Sequence, residues 1–292
     1  MYIAIDSKNE DLVGAITYWR LAGGANGDDL NNALRDSGLS DDDLLKLTTP
    51  RRALRRAMQE RARGNVFMRA GRSALKDGGL YLVRQTADAV DQSPVFDVMV
   101  DARLSTAGTP TFQVDARFNP DTDDDVEASL NDRFWHHVWH VTATDISSWL
   151  IQQARACDAV SLRESGGVYF IPRDRLDAWQ QRVETLHAET NCRVHMVPAM
   201  DSQQAFDAVI DAVIDESTMF TASLQEDLDG GELGERALRS RAEQAKAHLE
   251  KLARYERLLG EAAAERLATL REGIMDQQTN AIAAALSVAV AS

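Results

Sequence analysis

Cysteine is nearly missing from this sequence. The two present, Cys157 and Cys192, are too few for a disulfide framework and lack the grouping of a zinc site, so reduced thiols are expected. Aromatic residues are scarce too, at 6% against 44% hydrophobic residues overall, a balance that suits a helix-rich globular chain. No apolar run reaches the roughly 20 residues that a membrane span takes. The longest, Ala281 to Ala291, reads as a packed terminal helix, and no membrane partner is expected. The opening MYIAIDSKNE soon turns polar, so no export leader and a cytoplasmic location are expected. There is no G-x-x-x-x-G-K-[ST] loop, no G-x-G-x-x-G after a strand and no G-x-S-x-G elbow. That argues against nucleotide-driven and α/β-hydrolase chemistry.

Positive charge is also in short supply: 32 Lys and Arg face 46 Asp and Glu, for a net charge of −14. Such an excess opposes nonspecific binding to nucleic acid, where phosphates must be neutralised by cations. The average hides one basic segment. Between residues 51 and 72 stand Arg51, Arg52, Arg55, Arg56, Arg61, Arg63, Arg69 and Arg72, against Glu60 as the single acid.

The pattern predicts an α+β protein. A strand or short helix is expected at Tyr2–Ile5, a helix from Asp11 to Leu21, and a loop at GGANGDD. Three helices should follow: one opened by Asp28 and Asp29 and ended by Gly38, one capped by Ser40, and one started by Thr49-Pro50 that ends near Gly64. The period then changes to 2. NVFMRAGR and GLYLVRQT should pair around a loop at Ser73–Gly78, and VFDVMVDARL should pair with TFQVDARF around STAGTP. Phe96, Val98, Val100, Ala102 and Leu104 are expected to face inward together.

Further along, an acidic connector leads into RFWHHVWHV, and Thr144 is expected to cap the helix DISSWLIQQARA. A hairpin at SLRESGGVYFI, a helix from Pro172 to Thr190, the strand CRVHMV and a helix from Ser202 to Glu216 complete an α+β block. The expected boundaries are 1–122 (a three-helix, winged-helix-like unit plus antiparallel sheet), 123–228 (α+β with the hairpin) and 229–292 (a helical, coiled-coil-like arm).

At about 100° per residue, Arg51, Arg52, Arg55, Arg56 and Arg63 fall within an arc of about 140°, opposite Ala53, Leu54, Ala57 and Met58. One face packs and the other presents guanidinium groups. Following two short helices and preceding a hairpin, the segment takes the place of a recognition helix, with Arg69, Arg72 and Lys76 near the wing. The structural alternative is a surface helix ion-paired to the chain's own acids.

Other constellations are weaker. His136 and His140 in WHHVWH are one turn apart, a spacing that can share a metal, but no H-E-x-x-H pattern forms and the tryptophans read as packing. Asp121, Asp123, Asp125 and Asp132 imitate a calcium loop without its glycine or bidentate Glu. Asp101-Ala-Arg103 and Asp115-Ala-Arg117, beside Asp97, place acids on strands, where ion pairing explains them better than a nuclease centre that wants lysine. Along the C-terminal arm Leu238, Ala245, Leu252 and Leu259 recur every seven residues, with Leu249 among the companion positions. This coiled-coil-like seam is broken at Glu256 and Gly260, which argues for a helical hairpin or a short seam, and packing back on its own domains is the alternative to self-association.

These features point to a non-enzymatic, macromolecule-binding protein without cofactor, metal or catalytic residues. It is expected to be a nucleic-acid-associated adaptor that meets DNA or RNA through Arg51, Arg52, Arg55, Arg56, Arg63, Arg69 and Arg72. A protein partner and homo-oligomerisation through Leu238, Ala245, Leu249, Leu252 and Leu259 are also expected. The alternatives are a protein scaffold and, behind it, a metal-dependent hydrolase or nuclease.

Overall fold

A computed structural model describes residues 11–70, 79–88, 92–115, 125–163, 166–230 and 233–291, together with 5, 6, 9 and 117. The expectations at residues 2–4, at the loop 73–78 and at Arg72, Lys76, Ala116, Phe118, Asp121, Asp123, Glu164 and Ser165 lie outside the described residues. The protein is α+β, with antiparallel sheets and a C-terminal pair of long helices.

The stretch LVGAITYWR, expected as helix, is strand β1 (Leu12–Arg20). Its Val, Ile, Thr, Tyr and Trp side chains lose rotamer freedom in a helix and fit a pleated surface. The alternation that betrays a strand is absent because Leu12, Gly14, Ala15 and Thr17 are all buried, so both faces are covered. Gly14 is needed there: a Cβ would stand 2.3 Å from the Ile171 carbonyl oxygen and 2.5 Å from the Phe170 ring.

Contacts divide the chain into one unit of residues 1–22 and 147–292 and another of residues 23–146. These divisions fall elsewhere than the boundaries expected at 122 and 228. In the first unit β1 is flanked by β9 (Val168–Pro172) and β10 (Arg193–Met200), with β8 (Val160–Ser161) beyond β9, giving the antiparallel order β10-β1-β9-β8. The hairpin at 160–172 thus builds a sheet, and the opening strand belongs with the C-terminal half.

Against this sheet lie α6 (Gln203–Asp229), α7 (Glu235–Leu259) and α8 (Glu261–Ala291). Ser202 caps α6 by accepting from the Ala205 amide at 3.2 Å. That helix does not stop at Glu216, because its buried side, Val209, Ile210, Val213, Ser217 and Leu224, continues with no glycine until Gly230. Gly260, at φ +83°, turns α7 into α8, the helical hairpin its position suggests. Val209, Ile210, Val213 and Leu224 of α6 share one core with Ala245, Leu252 and Tyr255 of α7, Ala263, Leu267 and Ile274 of α8, and Phe170 of β9. The heptad seam is therefore covered by its own chain. Leu238, Ala245 and Leu252 are buried and Leu249 and Leu259 half-buried, so these five do not form the free self-association surface that was expected.

The unit also holds α4 (Ala143–Ala156), which straddles the division, and α5 (Leu176–Glu189). The cap of α4 is Thr142, not Thr144. Its Oγ1 accepts from the Asp145 amide at 3.2 Å, while Asp145 accepts from the Thr142 amide at 2.8 Å, a reciprocal capping box.

In the second unit β2 (Ala25–Asn26) replaces part of the expected loop and pairs with β7 (His140–Val141). Asn26 then caps α1 (Gly27–Asp36). The helix expected after Ser40 is only a single 3-10 turn at Asp41–Asp43. Ser40 Oγ donates to the Asp43 carboxylate at 2.8 Å instead of accepting from a backbone amide. The expected three-helix unit thus lacks its middle helix. Next come α2 (Pro50–Arg61), the meander β3 (Val66–Ala70), β4 (Leu80–Ala87), β5 (Pro94–Leu104) and β6 (Pro110–Val114), and α3 (Val126–Trp139). The four strands pair in sequence order, where a winged helix would have a smaller wing. Ala53, Leu54, Ala57 and Met58 of α2 and Leu130, Phe134 and Val138 of α3 bury one sheet face through Leu82, Val100, Ala102 and Phe112.

Candidate nucleic-acid interface

Thr49 is the last extended residue before α2, and Pro50 supplies the fixed φ of its first turn. With Ala53, Leu54, Ala57 and Met58 fully buried, the 3.6-residue period leaves Arg51, Arg52, Arg55 and Arg56 exposed. None of the four makes an ion pair or side-chain hydrogen bond with a described residue. The alternative of surface pairing with the chain's acids is therefore not met, among the described residues, in the first two turns.

Pairing begins only at the other end of the helix. Glu60 accepts from Arg133 at 2.6 Å, and Arg61 donates to Ser129 at 2.9 Å. Burial works to raise the Glu60 pKa, but the hydrogen bond from Arg133 and the charges of His137 and Arg133 outweigh it and leave it lowered. Arg63 lies past the helix end and is exposed. Arg69, on β3, sits with its guanidinium carbon 5.9 Å from the centre of the Phe67 ring.

The cationic end of α2 breaks the rules of a stable helix. Its first turn holds no acid, and Thr49 makes no side-chain cap, so Arg51 and Arg52 stand at the positive pole of the helix dipole. Arg51 with Arg55, and Arg52 with Arg56, are like charges at i,i+4, each destabilising by a few tenths of a kcal/mol. An anion placed at this end would relieve both conflicts.

The histidines are placed differently from a metal pair. His136 and His140 stack with ring centres 4.6 Å apart, and His140 has left the helix for β7. His137 Nε2 lies 3.0 Å from Glu60 Oε1, off the line of a good hydrogen bond, since the same nitrogen lacks a hydrogen-bond partner. Burial lowers its pKa, opposed by Glu60. Among the described residues no group of three or more His, Cys, Asp and Glu side chains could hold a metal ion. Asp125 caps α3 through the Glu127 and Ala128 amides, and Asp132 is inside that helix, which is incompatible with a calcium loop running through both.

The strand carboxylates are held by arginines. Asp101 pairs with Arg103 at 2.9 Å, Asp115 with Arg117 at 2.7 Å, and Arg117 also approaches Asp97 at 3.8 Å. Hydrogen bonds from Arg117 hold the Asp115 pKa down at about 2. A serine–histidine contact in the first unit, Ser217 Oγ to His248 Nε2 at 3.0 Å, is not arranged as a nucleophile and its general base. Ser217 is fully buried and already donates to the Val213 carbonyl at 2.7 Å, so the imidazole must be the donor in this pair.

The sequence pattern missed one surface. Val83 of β4 pairs with Val98, yet the next residue back, Leu82, pairs with Val100. Met99 is thus an extra residue in β5, a bulge that reverses which face the side chains take. Val100 and Ala102 remain in the core, whereas Phe96 and Val98 turn to the opposite face and are 50% and 47% exposed. That open face carries three cross-strand rows: Asn65, Gln85 and Phe96; Phe67, Val83 and Val98; and Arg69, Tyr81 and Asp101.

The profile of DUF6744, described as a family of unknown function, matches residues 12–285, from the first residue of β1 into the last helix. The chain belongs to this family. No curated protein and no solved structure matches this DUF6744 chain.

Proposed function

We propose that this DUF6744 protein is a non-enzymatic, nucleic-acid-associated adaptor that grips the sugar–phosphate backbone of DNA or RNA through α2. One observation carries the reading. Arg51, Arg52, Arg55 and Arg56 are exposed and unpaired among the described residues, on a helix end that already disfavours cations. Places where a sequence breaks its local rules are where function is expected. The buried side of α2 holds these arginines on a fixed scaffold, with Arg63 and Arg69 beyond the helix. The cytoplasm, where nucleic acid and reduced cysteines coexist, is the proposed location. Both cysteines are buried, and no helix among the described residues is long and apolar enough to cross a membrane.

The test is binding of labelled DNA and RNA at low salt by the native protein and by the variant R51Q/R52Q/R55Q/R56Q. Native binding that the variant abolishes, with its thermal midpoint kept, supports the proposal. Absence of native binding at low salt, where the electrostatic attraction is largest, rejects it in favour of a protein scaffold.

A second reading, self-association, is favoured by an outward stripe on α8. Met275, Ile282 and Leu286 are 51%, 46% and 58% exposed and fall on one helix face, while Ala281 and Ala285 point into the chain. A protein partner or a second copy would cover this stripe. Sedimentation should show an oligomer in the native protein that I282E/L286E reduces to a monomer. A native monomer would remove this reading without touching the first.

A further inference from the structure

The bulge at Met99 leaves an aromatic and amide surface on the open side of the second unit's sheet, and α2 accounts for none of it. A shallow cleft of about 500 Å³ opens at its end, lined by Gly64, Asn65, Phe67, Gln85, Gln92 and Pro94 among others. Phe67 is 37% exposed at its wall, and Phe96, paired across the strands with Gln85, is 50% exposed beside it. Two phenylalanine rings on open sheet strands are costly to leave in water unless something covers them. The choice of occupant follows from what surrounds them.

The side chains around the rings are Asn65 and Gln85, both exposed, and Arg69, which lies against Phe67. One Asn65 N–H donates to the Gln85 carbonyl at 3.0 Å, which leaves its other N–H and its oxygen to face a ligand. Amide side chains match the mixed donors and acceptors of base edges. A guanidinium matches phosphate or stacks on a base. Arg63 is next in sequence to Gly64 at the cleft. Aromatic rings for stacking, amides for base edges and cations for the backbone make up a surface for unpaired nucleotides. A duplex could not use it, because its bases are already stacked on one another. A purely apolar partner would leave the amides and Arg69 unmatched.

We infer that the open sheet face, through Phe67 and Phe96 with Asn65 and Gln85, binds single-stranded nucleic acid by stacking its bases. This rests on the proposed nucleic-acid function and names its substrate class. The strand's phosphates meet Arg69 and Arg63 at the cleft, so single strands gain interactions that duplexes do not.

The experiment compares full-length native protein with F67L/F96L, which keeps apolar bulk but removes both rings, and with R51Q/R52Q/R55Q/R56Q. The probes are a labelled single strand and the duplex of the same sequence, at low salt. The native protein should prefer the single strand. F67L/F96L should bind that strand about tenfold or more weaker, in keeping with stacking energies per base, while duplex affinity and thermal midpoint hold. The arginine variant should weaken both. If F67L/F96L binds single strands as the native protein does, or the native protein prefers duplex, the stacking surface is refuted while the α2 reading survives. If the native protein binds neither probe, both are refuted. If F67L/F96L changes only the sedimentation of the protein, the face belongs to a second copy and the inference falls.

Discussion

Two polar side chains, one buried and one half-buried, show how single residues hold each unit. Asn31 of α1 donates to the Leu45 carbonyl and accepts from the Leu45 amide, both at 3.0 Å. It is 5% exposed, and it fixes the chain where the expected second helix fails to form. Asn31→Leu leaves both Leu45 groups without these partners and should cost about 2–4 kcal/mol, read by urea denaturation. In the first unit, His248 stacks on Phe220 at 4.5 Å between ring centres, and burial pushes its pKa down to about 4. The unfolded chain takes up that proton near the usual value of about 6.5. Stability from the neutral ring is therefore fully present above about pH 6.5 and is lost as pH falls towards 4, by an amount on the order of 2–3 kcal/mol. His248→Gln should flatten the pH dependence of thermal stability in that window. An unchanged slope would show that other groups control it.

Among the elements, β5 and the α7–α8 turn carry the most information. Gly260 is at φ +83° with nothing within 4 Å of a would-be Cβ, so its constraint is backbone strain alone. Gly260→Ala should cost about 1 kcal/mol in a thermal melt, and a neutral result would mean that the turn relaxes freely. Elements with local signals were the legible ones. Thr49-Pro50 and Ser202 mark real helix starts because proline geometry and capping are local. Elements decided by distant partners were not legible. Strand β1 is buried between β9 and β10, so no alternation survives to identify it. Ser40 followed by three aspartates looks like a helix start, yet the chain is drawn extended so that Leu44 and Leu45 can be buried. Of the candidate site, the arginine face of α2 was readable from its period alone. The open sheet face was not, because one inserted residue, Met99, reverses the parity of everything before it.

At the scale of the whole molecule, the C-terminal helices belong to a core and do not form a detachable arm. Removing residues 232–292 would strip Leu252, Tyr255, Ala263, Leu267 and Ile274 from Val209, Ile210 and Val213. Each fully exposed Leu or Ile forfeits about 1.5–3 kcal/mol, and a few such losses exceed the stability of a typical domain. Residues 1–231 should therefore be unfolded or aggregated in the first unit, judged by hydrogen exchange of β1 and β9. A truncated chain with native protection there would contradict the shared core.

The central claim is that an acidic protein binds nucleic acid through one exposed, unpaired arginine face, and the salt dependence of binding tests it most directly. Plotting log affinity against log salt for native protein and R51Q/R52Q/R55Q/R56Q on the same duplex should give a steep native slope. It should flatten in the variant by up to about 0.9 for each phosphate that an arginine no longer neutralises. Equal slopes for the two proteins would contradict the claim, whatever their affinities.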